Sequence, residues 1–272
     1  MRKLLKAALA AGVAAASLAV PASANHSWGG YHWARTSNPF TIKLGNNLTS
    51  QWSSYLVTTS SDWSQSSVLD TVIVPGGTKP RNCRATNGMV EVCNSAYGNT
   101  GWLGIASISI TSGNHITSGT TKMNDTYYNT AQYNTPAWRN LVMCQEVGHT
   151  FGLGHQDENF SNANLNTCMD YTNLPESNQH PNQHDYDMLV SIYNHNDSST
   201  TIGQTTSKFG VNNSTTYGPG ETGLSPKSWG RPVAFLKDGR PHTYARVDGA
   251  GTMTITEVFW VPGMGPKDSH VD

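Results

Sequence analysis

The chain has 272 residues, of which 36% are hydrophobic and only 13% charged, and its formal net charge is −1. This length is sufficient for one large or two small domains with a hydrophobic core. The near-neutral charge and the lack of basic runs argue against nucleic acid or an anionic membrane as the main partner.

The first segment has the pattern of a secretory signal peptide. Positions 2, 3 and 6 are basic, an uncharged apolar run extends from Ala7 to Val20, and small residues occupy 22–24. The apolar run is shorter than the roughly 20 residues that a membrane span requires. We therefore expect cleavage near Ala24, export, and a mature chain that starts near Asn25 without a membrane span.

An exported chain with an even number of cysteines is expected to form disulfides. The four cysteines allow three pairings. We favour Cys83–Cys93, which closes a short loop containing an Asn-Gly turn, together with Cys144–Cys168. No C-x-x-C pair is present, which argues against a cysteine metal site.

The segments up to residue 124 are predicted to form one helix and five strands. Trp52, Leu56, Thr59 and Trp63 recur at spacings of four, three and four, which indicates one face of a helix. β-Branched and apolar runs bounded by Gly, Pro and Asn indicate the strands, at residues 41–44, 68–74, 89–92, 103–110 and 120–124.

The second half begins with a helix for which Thr135 is the expected N-cap, Pro136 the first residue and Gly152 the natural stop. An Asn-rich loop extends to residue 167, and a last helix is predicted over 185–195. Residues 197–228 are rich in Ser, Thr, Gly and Pro without periodicity, which predicts a linker or a loosely ordered arm. Strands at 232–236, 243–247 and 252–261 predict a small β module or strands added to the main domain.

The run Q-E-V-G-H-T-F-G-L-G-H, from Gln145 to His155, carries the residues suited to catalysis. Residues 145 and 149 are four apart on the predicted helix, so their side chains lie on one face. Gly152 lets the chain leave the helix sharply, so that His155 reaches the same point. Three side chains then converge on one metal ion with a fourth position open for water, and Glu146 can accept a proton from that water.

This run resembles H-E-x-x-H-x-x-G-x-x-H, the signature of the metzincin zinc proteases, at every defined position except the first. Met169 stands 14 residues after His155, where the methionine turn of that family is expected. The resemblance covers roughly residues 30–196 and is closest to the matrixin-like branch.

The resemblance implies an α+β catalytic domain with a twisted mixed β-sheet and three main helices. It implies that His149 and His155 bind Zn²⁺, that Glu146 is the general base, and that Met169 shapes the base of the site without binding the metal. It also implies that the strand before the active-site helix pairs through its free edge with the substrate backbone. The candidate residues for that edge are Leu103, Gly104, Ile105 and Ala106.

Gln145 departs from the family pattern, which has histidine at this position. An amide oxygen is a weaker donor to zinc than an imidazole nitrogen. Gln145 could still ligate zinc, Asp157 could supply the third ligand instead, or the site could bind zinc too weakly to work. The intact Glu146 and His155 favour retained metal chemistry. The loop 157–166 is a candidate Ca²⁺ site by composition, although no ligand spacing supports it.

The sequence therefore predicts four segments: a signal peptide (1–24), a metzincin-like catalytic domain (25–196), a linker or arm (197–228) and a small β-rich C-terminal extension (229–272). The predicted function is a secreted zinc-dependent metalloendopeptidase acting on protein or peptide substrates. A catalytically inactive, secreted binding protein on the same scaffold is the alternative. A monomer is favoured, with the oligomeric state otherwise open.

Overall fold

The computed structural model describes residues 25–203, 217–249 and 251–266. Within these ranges the chain forms four α-helices and one nine-stranded sheet. The strands are β1 (His32–Trp33), β2 (Phe40–Asn47), β3 (Leu69–Pro75), β4 (Val90–Ser95), β5 (Trp102–Ile110), β6 (His115–Asn124), β7 (Arg231–Phe235), β8 (Pro241–Gly249) and β9 (Thr252–Trp260). The helices are α1 (Ser53–Trp63), α2 (Asp125–Tyr128), α3 (Pro136–His149) and α4 (Gln183–Ile192).

The sheet is mixed, with the strand order β3-β2-β4-β6-β5-β9-β8-β7, and β1 pairs with β6. β2, β3, β4 and β6 run parallel, while β5 is antiparallel to β6, and β7 to β9 continue the antiparallel part. Helix α3 packs on β5 and β6 and contacts α1. The prediction of an α+β fold built on a mixed sheet is confirmed.

Helices α1 and α3 lie where the sequence predicted them. The predicted face of α1 is buried at Leu56, Thr59 and Trp63. The Thr135 side chain accepts a hydrogen bond from the Trp138 backbone at 3.2 Å, and this satisfies one of the backbone N–H groups that the first turn of a helix leaves free.

Helix α4 begins earlier and ends earlier than predicted. Asn182 is its N-cap and accepts from the backbone N–H groups of His184 and Asp185, while the Asp185 carboxylate accepts from the Asn182 backbone. This reciprocal pair is a capping box, with Asp in place of the usual Glu or Gln. The helix starts at Gln183 because of this capping box.

The C-terminal strands do not form a separate module, because β9 pairs with β5 and thereby continues the main sheet. The predicted signal peptide (1–24) and residues 204–216 of the predicted arm lie outside the described residues. Where it is described, the arm is packed instead of loose: the Asp197 backbone donates to Arg35, and Thr222 is buried against Lys122. In the described part of the chain, no helix is both long and apolar enough to cross a membrane.

Candidate metal centre and catalytic residues

Helix α3 and the turn after it bring together the residues that the motif singled out. Gln145, Glu146 and His149 lie on α3 and are fully buried or nearly so. Gly152 adopts a φ of +91°, a conformation that other residues rarely take. The chain turns there, and the imidazole rings of His149 and His155 come to 4.6 Å between centroids. The predicted convergence of these two histidines is confirmed.

Backbone carbonyls orient two of the candidate ligands. His149 Nδ1 lies 2.8 Å from the Leu153 carbonyl, and because a carbonyl only accepts, Nδ1 carries the proton and Nε2 keeps its lone pair. Gln145 Nε2 donates to the Cys168 carbonyl at 2.7 Å, which leaves Oε1 as the free end of the amide. These contacts have the form of the outer hydrogen bonds that orient metal ligands.

Five buried polar atoms of the motif residues have no hydrogen-bond partner among the described residues: Gln145 Oε1, His149 Nε2, His155 Nε2 and both carboxylate oxygens of Glu146. Leaving such atoms unpaired costs about 1–3 kcal/mol each. Two imidazole nitrogens and one amide oxygen form a donor set that suits zinc better than calcium, which prefers oxygen ligands alone. The residues present therefore fit a zinc ion, with the oxygen as the weakest donor.

Burial sets the protonation of these groups. It lowers the pKa of His149 to about 3, with the neighbouring His155 adding to the effect, so the ring is neutral at pH 7, as a metal ligand must be. Burial also raises the pKa of Glu146 well above its usual range, and the Glu257 carboxylate raises it further. Gly104 leaves space for the Glu146 carboxylate, because a Cβ atom at residue 104 would stand 2.5 Å from Glu146 Oε1.

The methionine turn packs directly under α3. Met169 is fully buried, and a Cβ on Gly148 would stand 2.7 Å from its sulfur, so the glycine permits the close approach. Both predicted disulfides are present, Cys83–Cys93 and Cys144–Cys168. The second joins the residue before Gln145 to the residue before Met169. It thereby links the helix to the carbonyl that orients the Gln145 amide.

The expectation that Leu103, Gly104, Ile105 and Ala106 form a free edge is wrong. All nine residues of β5 are buried, and the strand is hydrogen-bonded to β6 on one side and to β9 on the other. In the register of the second pairing, Gly104 lies opposite Phe259 and Ala106 opposite Glu257. The physical reason is that an unpaired strand edge offers its N–H and C=O groups to any strand that reaches it, and β9 does so from within the chain.

His242 and Glu257 lie beside the site, and both belong to the C-terminal hairpin formed by β8 and β9. The sequence did not connect these residues with the site. His242 is buried, its Nδ1 is 2.5 Å from Glu257 Oε1, and its ring centroid is 5.8 Å from that of His155. His242 Nε2 lies 3.5 Å from Glu158 Oε1. No spacing in the sequence signals this contact, because the hairpin follows a long polar arm.

The carboxylate of Asp157, the other candidate third ligand, is engaged by its own loop. Its oxygens accept from the Asn159 backbone at 2.7 Å and from the Asn162 side chain. Two clusters of three or more metal-capable His, Cys, Asp or Glu side chains occur among the described residues, and neither includes Asp157. The calcium site in loop 157–166 stays a prediction.

A cavity of about 220 Å³ opens beside His155. Residues 25–28 form one wall, and the C-terminal strands form the other through Ala234 on β7, His242 and Thr243 on β8, and Glu257 on β9. Neither a scan against models of protein families nor a search of curated proteins finds a match for this chain.

Proposed function

We propose that this protein is an exported zinc-dependent endopeptidase of the metzincin type. The observation that carries the proposal is the set of buried, unpartnered donor atoms on Gln145, His149 and His155, with the unpartnered carboxylate of Glu146 next to them. A protein interior tolerates few such atoms, and their occurrence on four residues of α3 and the turn after it, with the His149 and His155 rings 4.6 Å apart, supports a site for a metal ion. Export is consistent with the two disulfides.

In this proposal Gln145, His149 and His155 hold the metal. A zinc ion bound there would polarise the scissile carbonyl and acidify a water molecule. Glu146 accepts the proton of the attacking water and passes it to the amine of the leaving peptide. Cys168 and Leu153 contribute the carbonyls that hold the Gln145 amide and the His149 ring in place.

The C-terminal hairpin determines how a substrate would approach. Since β9 fills the edge of β5, a peptide does not extend the sheet there while the hairpin is in place. We assign the substrate route to the cavity beside His155, which His242 and Glu257 line. Glu257 fixes the orientation of His242, so the ring is positioned to hydrogen-bond a substrate that enters the cavity.

A second candidate function is an exported binding protein without catalysis. The pairing of β9 with β5 favours it, because this contact removes the strand edge that a peptide would otherwise use. In that case the cavity or the exposed face of the hairpin would hold the partner, and Glu146 would have no chemical role.

Metal content and proteolysis separate the two functions. The purified chain is assayed for zinc by elemental analysis and for hydrolysis of casein. Glu146→Gln removes the base while keeping shape, and Glu176→Gln is the matched control, because that glutamate is exposed in the turn at Pro175–Ser177.

We expect one zinc ion at this site, hydrolysis by the wild type and by Glu176→Gln, and a loss of about 10²–10⁴-fold in Glu146→Gln. Zinc-free protein without proteolysis, or a Glu146→Gln variant as active as the wild type, would refute the enzyme proposal.

A further inference from the structure

A second cluster of metal-capable side chains lies outside the candidate catalytic site. His32 is on β1, His115 is the first residue of β6, and His195 and Asp197 follow α4. Three distant parts of the chain thus meet at one point. The ring of His32 has its centroid 5.0 Å from that of His115 and 4.7 Å from that of His195.

The distances between the donor atoms are short and similar. His115 Nε2 lies 3.1 Å from Asp197 Oδ1, and His195 Nε2 lies 3.2 Å from His32 Nε2. The Nε2 atoms of His32 and His195 are 3.6 and 3.7 Å from the same carboxylate oxygen. Ligands held about 2.0–2.1 Å from a tetrahedral zinc ion stand roughly 3.3 Å from one another. One donor atom each of His32, His195 and Asp197 therefore lies within 4.8 Å of the others, which is the spacing of three ligands around a zinc ion, while His115 contacts this group through Asp197.

Neighbouring groups orient two of the four side chains. His32 Nδ1 lies 3.0 Å from the Gly30 carbonyl, so it carries the proton and leaves the Nε2 lone pair facing the cluster. Asp197 Oδ2 accepts from the Arg35 guanidinium at 2.8 Å and from the Arg35 backbone at 3.1 Å, which turns Oδ1 toward the imidazoles. Such outer contacts are the usual companions of metal ligands.

We propose that His32, His195 and Asp197 form a second metal site, which takes Zn²⁺, while His115 hydrogen-bonds Asp197 beside it. Two imidazoles and one carboxylate suit zinc, and three protein ligands leave the fourth position of a tetrahedral ion to water. The ion ties the N-terminal strand to the chain that leaves α4. This inference uses none of the residues assigned to catalysis.

The competing explanation is a network of hydrogen bonds without a metal. Asp197 can accept from His115, and His195 can donate to His32, so every close contact is also compatible with ordinary hydrogen bonding. The two explanations differ in one measurable respect. Only the metal site makes zinc content and zinc-dependent stability depend on His32, His195 and Asp197.

The test compares zinc per chain, after dialysis against zinc-free buffer, in the full-length wild type and in variants. His195→Ala and His32→Ala each remove one ligand. His180→Ala is the matched control, because His180 is exposed and pairs with Asp62 at 2.7 Å without other metal-capable neighbours in its described contacts. His149→Ala reports on the proposed catalytic site.

We expect two zinc ions in the wild type and in His180→Ala. The ligand variants should retain one tightly held ion and bind the other at least about tenfold more weakly. Titration of metal-free protein with Co²⁺ gives a second readout, since the tetrahedral absorption of this site should persist in His149→Ala and disappear in His195→Ala.

If the catalytic proposal fails and this one holds, the wild type contains one zinc ion. His195→Ala should then contain none, and His149→Ala should still contain one. The proposal is overturned if His195→Ala and His32→Ala hold as much zinc as the wild type. It is equally overturned if zinc raises their melting temperatures as much as it raises that of His180→Ala.

Discussion

The two disulfides allow stability and metal binding to be separated in one experiment. All four cysteines are buried, so replacing either pair with alanine removes similar packing. The pairs differ in what they hold. Cys144–Cys168 joins the helix of Gln145 to the turn whose carbonyl orients the Gln145 amide at 2.7 Å, whereas Cys83–Cys93 has no contact with the candidate site among the described hydrogen bonds.

The expected loss of stability follows from the loop that each bond closes. The cysteines are 24 residues apart in Cys144–Cys168 and 10 apart in Cys83–Cys93. The chain-entropy relation then assigns about 3.4 kcal/mol to the first bond and about 2.7 kcal/mol to the second. Both losses correspond to a Tm that is lower by roughly 10 °C in a domain of this size.

Zinc affinity should distinguish the two variants although their stabilities are similar. The bond holds the turn whose Cys168 backbone carbonyl orients the Gln145 amide, and disturbing such an outer contact weakens metal binding by about 10–100-fold. We therefore expect competition with a chelator to show weaker zinc binding in Cys144→Ala/Cys168→Ala and unchanged binding in Cys83→Ala/Cys93→Ala, both measured well below their Tm. Equal zinc affinities in the two folded variants would refute the role assigned to the Cys144–Cys168 bond.

Three further predictions concern single residues. Gln145→His should tighten zinc binding at least about tenfold in a chelator competition, because imidazole is a better zinc donor than an amide. Gly104→Ala places a Cβ 2.5 Å from Glu146 Oε1, so kcat should fall about 100-fold while zinc content is unchanged. Burial lowers the pKa of Lys122 to about 7. The Glu221 carboxylate opposes this shift, and the Arg246 guanidinium adds to it. Wild-type stability in urea should therefore rise between pH 7 and 10.5, and Lys122→Met should abolish that rise.

The sign of the Lys122 effect follows from proton binding. Between pH 7 and 10.5 the unfolded chain keeps the proton that the folded chain has lost, so stability increases with pH by at most about 1.4 kcal/mol per unit. A wild type whose pH profile in this window matches that of Lys122→Met would contradict the prediction. Weaker zinc binding in Gln145→His, or full activity in Gly104→Ala, would contradict the other two.

Predictions that rest on neighbouring residues in the chain agree with the structure. The Thr135 cap, the buried face of α1 and the turn at Gly152 depend on spacings of one to four residues, which helix geometry determines. The convergence of His149 and His155 follows from the same local rules. The disulfide pairing was open among three possibilities, and the structure confirms the favoured one.

Contacts between distant segments were beyond the sequence. An apolar strand such as β5 carries no mark of whether its second edge is free, because backbone groups pair with any strand that arrives. That β9 is this strand, and that it carries Glu257 and positions His242 beside His155, depends on how the arm after residue 197 is packed. The cluster around Asp197 has the same origin.

The sequence by itself thus determined the helix that carries Gln145, Glu146 and His149, and the turn that returns the chain to His155. Tertiary structure alone decided which strand covers β5 and which histidines gather around Asp197. The physical reason is range: helix periodicity and capping act within a few residues. Strand pairing and side-chain clustering depend on which distant surfaces the folded chain brings into contact.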